Sequence, residues 1–183
     1  MLELQFNPFP ILSTERLILR QLNFDDAEEV FYLRSDPSIM RYIPRPKAKS
    51  KIDASQVIQT MAQGISNSTS INWGITLKEQ TKILGIIGFV RLSKEDHRAE
   101  VGYMLNPAYH QRAIMHEALE KVLDYGFNQA GFHTIEAVID PDNLASEKLL
   151  LKNGFVKEAH FRENVYFEGQ YLDSVHYTLF TPA

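Results

Sequence analysis

Two stretches of this 183-residue chain place chemically capable residues at useful spacing. The first begins at Glu100-Val101-Gly102-Tyr103-Met104-Leu105. It passes through Asn106-Pro107-Ala108-Tyr109 into His110-Gln111-Arg112-Ala113-Ile114-Met115, where a long helix opens. Free backbone N–H groups at a helix start attract phosphate oxygens, and Arg112 adds a positive charge there. Most strand–loop–helix junctions bind nothing, so an ordinary connection also fits. The second stretch is Asp142-Asn143-Leu144-Ala145-Ser146, which opens a short helix ending at Asn153-Gly154-Phe155. Asn143 suits a helix cap, and capping alone accounts for Asn143 and Ser146 as well as any chemistry does.

Other chemistries are excluded or unsupported. The chain has no cysteine, which removes disulfide scaffolds, thiolate metal sites and a cysteine nucleophile. Of the six histidines only His110 and His116 lie close together, with no carboxylate at ligand spacing, so no metal site is expected. The G-x-x-x-x-G-K-[ST], G-x-G-x-x-G, G-x-S-x-G and H-E-x-x-H patterns are missing. A net charge of -4 gives no general footprint for nucleic acid, and none is expected to bind. No apolar run reaches the roughly 20 residues that cross a bilayer, and the N-terminal segment lacks the layout of a secretion signal. A cytoplasmic protein is the expectation, with no membrane partner.

At 21.0 kDa the chain suits one domain, expected over residues 1–183. Hydrophobic periodicity predicts a strand at Arg16–Leu22, a helix from Asn23 to about Arg34, a loop at Ile39–Lys49 and a helix at Ile52–Ile65. Strands follow at Asn72–Leu77, Ile83–Leu92 and Arg98–Leu105, forming an antiparallel meander. Ile114, Met115, Ala118, Leu119, Val122, Leu123 and Gly126 line one face of the long helix. A strand at His133–Ile139, the helix Leu144–Lys152 and strands at Phe155–Phe161 and Leu172–Phe180 complete the chain. Trp73, Phe89 and Tyr103 read as core residues. The order predicts an α/β (α+β) fold with a mixed, mostly antiparallel central sheet and flanking helices.

The ordered set Arg16-Leu17-Ile18-Leu19-Arg20, Ala99-Glu100-Val101-Gly102-Tyr103, Pro107-Ala108-Tyr109, Glu117-Ala118-Leu119 and Asn143-Leu144-Ala145-Ser146 with Gly154-Phe155 resembles the GNAT superfamily of acetyl-CoA-dependent N-acetyltransferases. It is most similar to the branch that acetylates ribosomal-protein N-termini, over about residues 12–179. The resemblance implies a splayed parallel strand pair with the pantetheine arm of acetyl-CoA in the gap, bonded to the main chain of Met104 and Leu105. It implies a pyrophosphate on the amides of Gln111, Arg112, Ala113, Ile114 and Met115, and Asn143 on the opposite wall. No metal is implied. Two departures stand out. Ala113 and Met115 occupy positions where the family prefers glycine or another small residue, and Ala permits less backbone freedom than Gly. Leu150 stands where many members carry a proton-donating tyrosine; Ser146 matches the serine that the related branch uses instead.

The implied reaction is direct attack of an amine on the acetyl thioester. Deprotonating the amine at pH 7 costs roughly 1–1.4 kcal/mol for an α-amine and about 4.6 kcal/mol for a lysine, which favours a protein N-terminus or a small amine of low pKa. Glu100 shares a strand face with Met104 and is the expected base, directly or through water; Glu163, Glu168 and Asp173 in the last hairpin are rivals. Arg41 and Tyr42, in the loop Met40–Lys49, are expected on the acceptor wall, and Arg41, Arg45, Lys47, Lys49 and Lys51 could attract an acidic acceptor. Homodimers are common among look-alikes. A non-catalytic CoA-binding module with the same fold is the alternative, motivated by Ala113, and a structural domain that binds no CoA is a third.

Overall fold

The computed structural model describes residues 1–181; the last two residues of the expected domain, 182–183, lie outside it. Two short strands, β1 (Leu12–Ser13) and β2 (Leu17–Arg20), precede helices α1 (Ala27–Ser35), α2 (Pro37–Met40) and α3 (Lys51–Ser66). The antiparallel meander is β3 (Ile71–Leu77), β4 (Gly85–Ser93) and β5 (Arg98–Leu105). Helix α4 (Ile114–Asn128), strand β6 (Thr134–Ile139), helix α5 (Leu144–Lys152) and the hairpin β7 (Val156–Phe167) and β8 (Gln170–Phe180) follow. The sheet order is β1-β2-β3-β4-β5-β6-β8-β7, antiparallel except at β5–β6. The expected mixed architecture is therefore the observed one.

Two local differences have clear causes. The stretch expected as loop begins with one helical turn, because Asp36 accepts from the amides of Ser38 and Ile39 and Pro37 sits at the first helical position. The closing strands run further than expected. Glu168 and Gly169 both take positive φ, at 48° and 82°, which makes the tight two-residue turn that matches strand twist and lets pairing continue to Phe167 opposite Gln170.

Strand alternation feeds two cores. Ile87 and Phe89 of β4 face α4, whose buried stripe includes Ile114, Leu119 and Val122. Ile86 faces the other side, among Val30 and Leu33 of α1 and Ala54 and Ile58 of α3. Helix α4 lies close on the sheet at Gly126, where a Cβ would meet Phe89 at 2.7 Å and Ile135 at 2.8 Å. Trp73 and Phe89 are buried as expected. Among the described residues no helix is long and apolar enough to cross a membrane.

Candidate active site

The parallel pair is short. Arg98, Ala99 and Glu100 of β5 pair with Thr134, Ile135 and Glu136 of β6, and pairing then stops although both strands continue. Beyond Glu100 the strands diverge, and a cavity of about 550 Å³ opens between them. It passes through the sheet. Asn143, Ser146 and Tyr103 line it on the α5 side, while Arg34, Glu100 and Met104 line it on the α1 and α3 side.

Helix α5 supplies the first wall. The Asn143 side chain accepts from the Ser146 amide at 3.2 Å, so it does cap the helix, and both residues line the cavity. The Ser146 hydroxyl is not spent on that cap. Tyr177, buried in β8, donates to Glu147 at 2.7 Å and anchors the helix from below. Leu150, where a tyrosine was a family expectation, is fully buried in the core. Tyr103, read as core, does pack against the core on the α4 side. Its hydroxyl is buried at the cavity wall without a hydrogen-bond partner, next to Ser146 but short of bonding geometry. Burial pushes its pKa up to about 12, with Ser146 pulling slightly the other way.

The opposite wall carries the carboxylate. Phe89 stands opposite Val101 and Arg91 opposite Glu100, so Val90 is an extra residue in β4. This bulge turns Arg91 onto the face of Glu100, and the two form an ion pair at 3.0 Å. Glu100 is largely covered, with 18% of its side chain exposed. The rival carboxylates are further out. Asp173 accepts from the Glu163 amide at 2.9 Å and pairs with His160 at 2.8 Å, contacts that lower its pKa in that order. With Glu168 it borders a smaller neighbouring cavity of about 260 Å³, which Arg41, Tyr42 and Lys47 also line. The Arg41 guanidinium stacks 5.0 Å over the Tyr42 ring, and Tyr42 reaches the larger cavity as well. Lys51 is turned away, 3.5 Å from Glu28.

The loop before α4 is built as an amide nest. After the His110 amide bonds to Pro107, the next backbone hydrogen bond runs from the Glu117 amide to the Ala113 carbonyl. The amides of Gln111, Arg112, Ala113, Ile114, Met115 and His116 donate to no protein group among the described residues. Gln111 and Ala113 take φ of 59° and 57°, left-handed values that bring successive N–H groups to one side. Ala113 thus adopts the conformation for which glycine is usual. The side chains of Ile114 and Met115 are buried in the core, leaving only their amides for a ligand. Arg112 stacks 5.6 Å over Tyr109. The Leu105 carbonyl already contacts His110 Nε2 at 3.2 Å, and Leu105 does not line the larger cavity.

Sequence reasoning missed Arg34, Arg91 and the hydroxyl of Tyr103. A bulge leaves no mark in the residue pattern, and Arg34 reads as a cation complementing the end of α1. Alternation places Tyr103 on the core-facing side, and only the strand divergence opens that side to a ligand.

An acetyltransferase (GNAT) domain model matches residues 16–156. An uncharacterised N-acetyltransferase of Bacillus subtilis, YoaA, is 38% identical over 95% of this chain and 98% of its own. A GNAT-family acetyltransferase structure from Bacillus anthracis superposes with a TM-score of 0.83 at 25% identity, covering 94% of this chain and 99% of that one. The ribosomal L7/L12 alpha-N-protein acetyltransferase RimL, solved with coenzyme A, superposes with a TM-score of 0.85 at 17% identity, covering 93% and 98%, a likeness of fold. A diverging parallel strand pair, an amide nest ahead of α4 and relatives named for acetyl transfer agree: the chain belongs to the GNAT family of N-acetyltransferases.

Proposed function

We propose that the protein moves an acetyl group from acetyl-CoA to a primary amine by direct attack, with an α-amino group, of a protein N-terminus or of a small molecule, as acceptor. The observation that carries this reading is the end of β5–β6 pairing at Glu100 and Glu136, which opens a through-sheet cavity where a thioester and an amine can meet from opposite faces. The six unbonded amides fit an anionic diphosphate, and RimL, of the same fold, is solved with coenzyme A. Acetyl-CoA supplies the activated acetyl group.

The amides of Gln111 to Met115, with Arg112, hold the diphosphate. Asn143 and the main chain of Met104 and Leu105 hold the pantetheine arm; because the Leu105 carbonyl contacts His110, the N–H groups carry more of this task. A main-chain N–H at or beside Met104 meets the acetyl oxygen. Ser146 hands a proton to the leaving sulfur, with the Tyr103 hydroxyl behind it. Glu100 takes the proton of the amine through water, and Arg41 and Tyr42 form the acceptor wall. Charge in the larger cavity helps the first step. Among the described residues lining it, Arg34, Arg45 and Arg91 stand against one carboxylate, Glu100, and positive surroundings favour the neutral, nucleophilic amine.

Calorimetry with acetyl-CoA, followed by thiol release on a panel of peptides, amino acids and polyamines, tests the proposal. Binding with turnover on an α-amine is expected. Binding without turnover on any amine would leave only a CoA-binding module, and absence of binding would leave only the fold.

A further inference from the structure

Arg34 closes α1 and lines the acceptor side of the cavity. Its Nε is buried and has no hydrogen-bond partner, and among the described residues the guanidinium forms no ion pair. Arg34 as a whole is half-buried, and a guanidinium partly withdrawn from water is normally paired, because an uncompensated charge there is costly. A second arginine adds to the imbalance. The amide of Ala48 donates to the Arg34 carbonyl at 2.9 Å, which fastens the loop carrying Arg45 to the end of α1. Arg45 lines the same cavity, exposed and unpaired among the described residues. Burial, and then the charge of Arg45, push the Arg34 pKa down. Among the described residues lining the cavity no carboxylate is free to answer them, since Glu100 is held by Arg91 at 3.0 Å. Two arginines that line one cavity with no anion beside them offer the donor chemistry by which carboxylates and phosphoryl groups are bound.

We propose that Arg34 and Arg45 form an anion subsite for the acceptor, so that the favoured acceptor is an amine carrying a carboxylate or phosphoryl group rather than a neutral amine or a polyamine. The identity of this ligand as the acceptor rests on the transferase reading; the anion subsite itself does not. The acceptor's amine lies toward Glu100 and its anion toward α1. A polyamine would bring further positive charge to a wall that already holds two unpaired cations.

The test separates binding from turnover. Protein loaded with CoA is titrated calorimetrically with N-acetylalanine, N-acetylalaninamide, the amides of N-acetylalanylglutamine, N-acetylalanylglutamate and N-acetylalanylphosphoserine, and N-acetylspermidine. At least one anionic probe binds about tenfold or more tightly than its neutral counterpart, and the acetylated polyamine binds weakest. The glutamate and phosphoserine arms show which anion is preferred. Arg34→Gln and Arg45→Gln each collapse the advantage, and Arg34→Lys restores part of it. Arg45 is exposed, so its variant keeps the test open even if Arg34→Gln folds poorly. Equal binding of anionic and neutral probes, or an anion preference untouched in Arg45→Gln and Arg34→Lys, overturns the subsite. Thiol release with the matching free amines is read in parallel. Selective binding without turnover rejects the transferase reading alone; turnover without anion preference rejects the subsite alone.

Discussion

Arg16 donates from Nη1 to the main-chain carbonyl of Arg112 at 3.1 Å, joining the start of β2 to the loop that opens α4. The same guanidinium reaches Glu117 through Nε at 2.6 Å, and Glu117 also accepts from the Arg16 amide at 3.0 Å and from the Thr14 hydroxyl. One carboxylate in the first turn of α4 thus gathers three donors from the corner between β1 and β2. The left-handed pair at Gln111 and Ala113 is held from outside the loop, which is how a backbone conformation that disfavours side chains persists.

Ala113 sits at φ 57°, where a Cβ costs roughly 1–2 kcal/mol. Changing it to Gly removes that cost but adds about 0.4–1 kcal/mol of unfolded-chain entropy. Ala113→Gly is therefore expected to raise stability by up to about 1.6 kcal/mol, or up to about 3–6 °C in Tm for a chain of this size. Affinity for CoA changes by less than about threefold, because the amides already point the right way. Thermal melts and calorimetry check both parts; tighter binding by tenfold or more would mean that the alanine loop must rearrange around the ligand.

Glu117 gives a pH signature. Burial raises its pKa, but hydrogen bonds from Thr14 and Arg16 outweigh this, and the net direction is downward. A depressed carboxylate adds stability that is present above its unfolded value near 4.3 and is lost as pH falls through the folded value. Glu117→Gln is expected to melt lower than the parent at pH 7, with the gap shrinking below about pH 4.3. It should also weaken CoA binding several-fold by loosening the Arg112 carbonyl. A gap in Tm constant from pH 7 to pH 3 would remove the charge from the explanation.

The elements were readable because their signals are local. The α4 stripe has helical spacing, and Gly154, at φ 83°, ends α5 where the Asn-Gly pair places the stop. The amide nest was legible only by resemblance, since nothing in His110-Gln111-Arg112-Ala113 marks two left-handed residues. Arg91 and Glu100 lie nine residues apart, and only the bulge at Val90 makes them partners. The unpaired state of Arg34 is a property of its neighbours in space, which no local pattern encodes. Side chains that build elements were thus legible, and those defined by what they fail to touch were not.

Ser146 and Tyr103 can be separated from helix capping. Asn143 binds the Ser146 amide, so Ser146→Ala leaves the cap in place. If the hydroxyl hands over a proton, the variant loses about tenfold to hundredfold in kcat while affinity for acetyl-CoA stays within about threefold. Tyr103, at about 12, stays protonated across any practical assay range. Tyr103→Phe should lower kcat less, and the double variant should fall short of the product of the two losses because the hydroxyls act in series. Equal losses in kcat and cofactor affinity for Ser146→Ala would return the residue to a structural role.

Glu100 and Arg91 test the base. Glu100→Gln keeps shape and hydrogen-bonding reach but cannot take a proton, so kcat/KM for the amine should fall about hundredfold while acetyl-CoA affinity holds. Arg91→Gln frees the carboxylate at the cavity wall and should change kcat/KM by less than about tenfold. The stronger discriminator is the acceptor's own basicity. An amine of pKa near 7 is already half neutral at pH 7 and needs little help, whereas a lysine-like amine of about 10.4 needs about 4.6 kcal/mol. The penalty of Glu100→Gln should therefore shrink as the acceptor pKa falls. A penalty independent of amine basicity would assign Glu100 to holding the acceptor in place, and would move the base to a water chain or to Asp173 in the last hairpin.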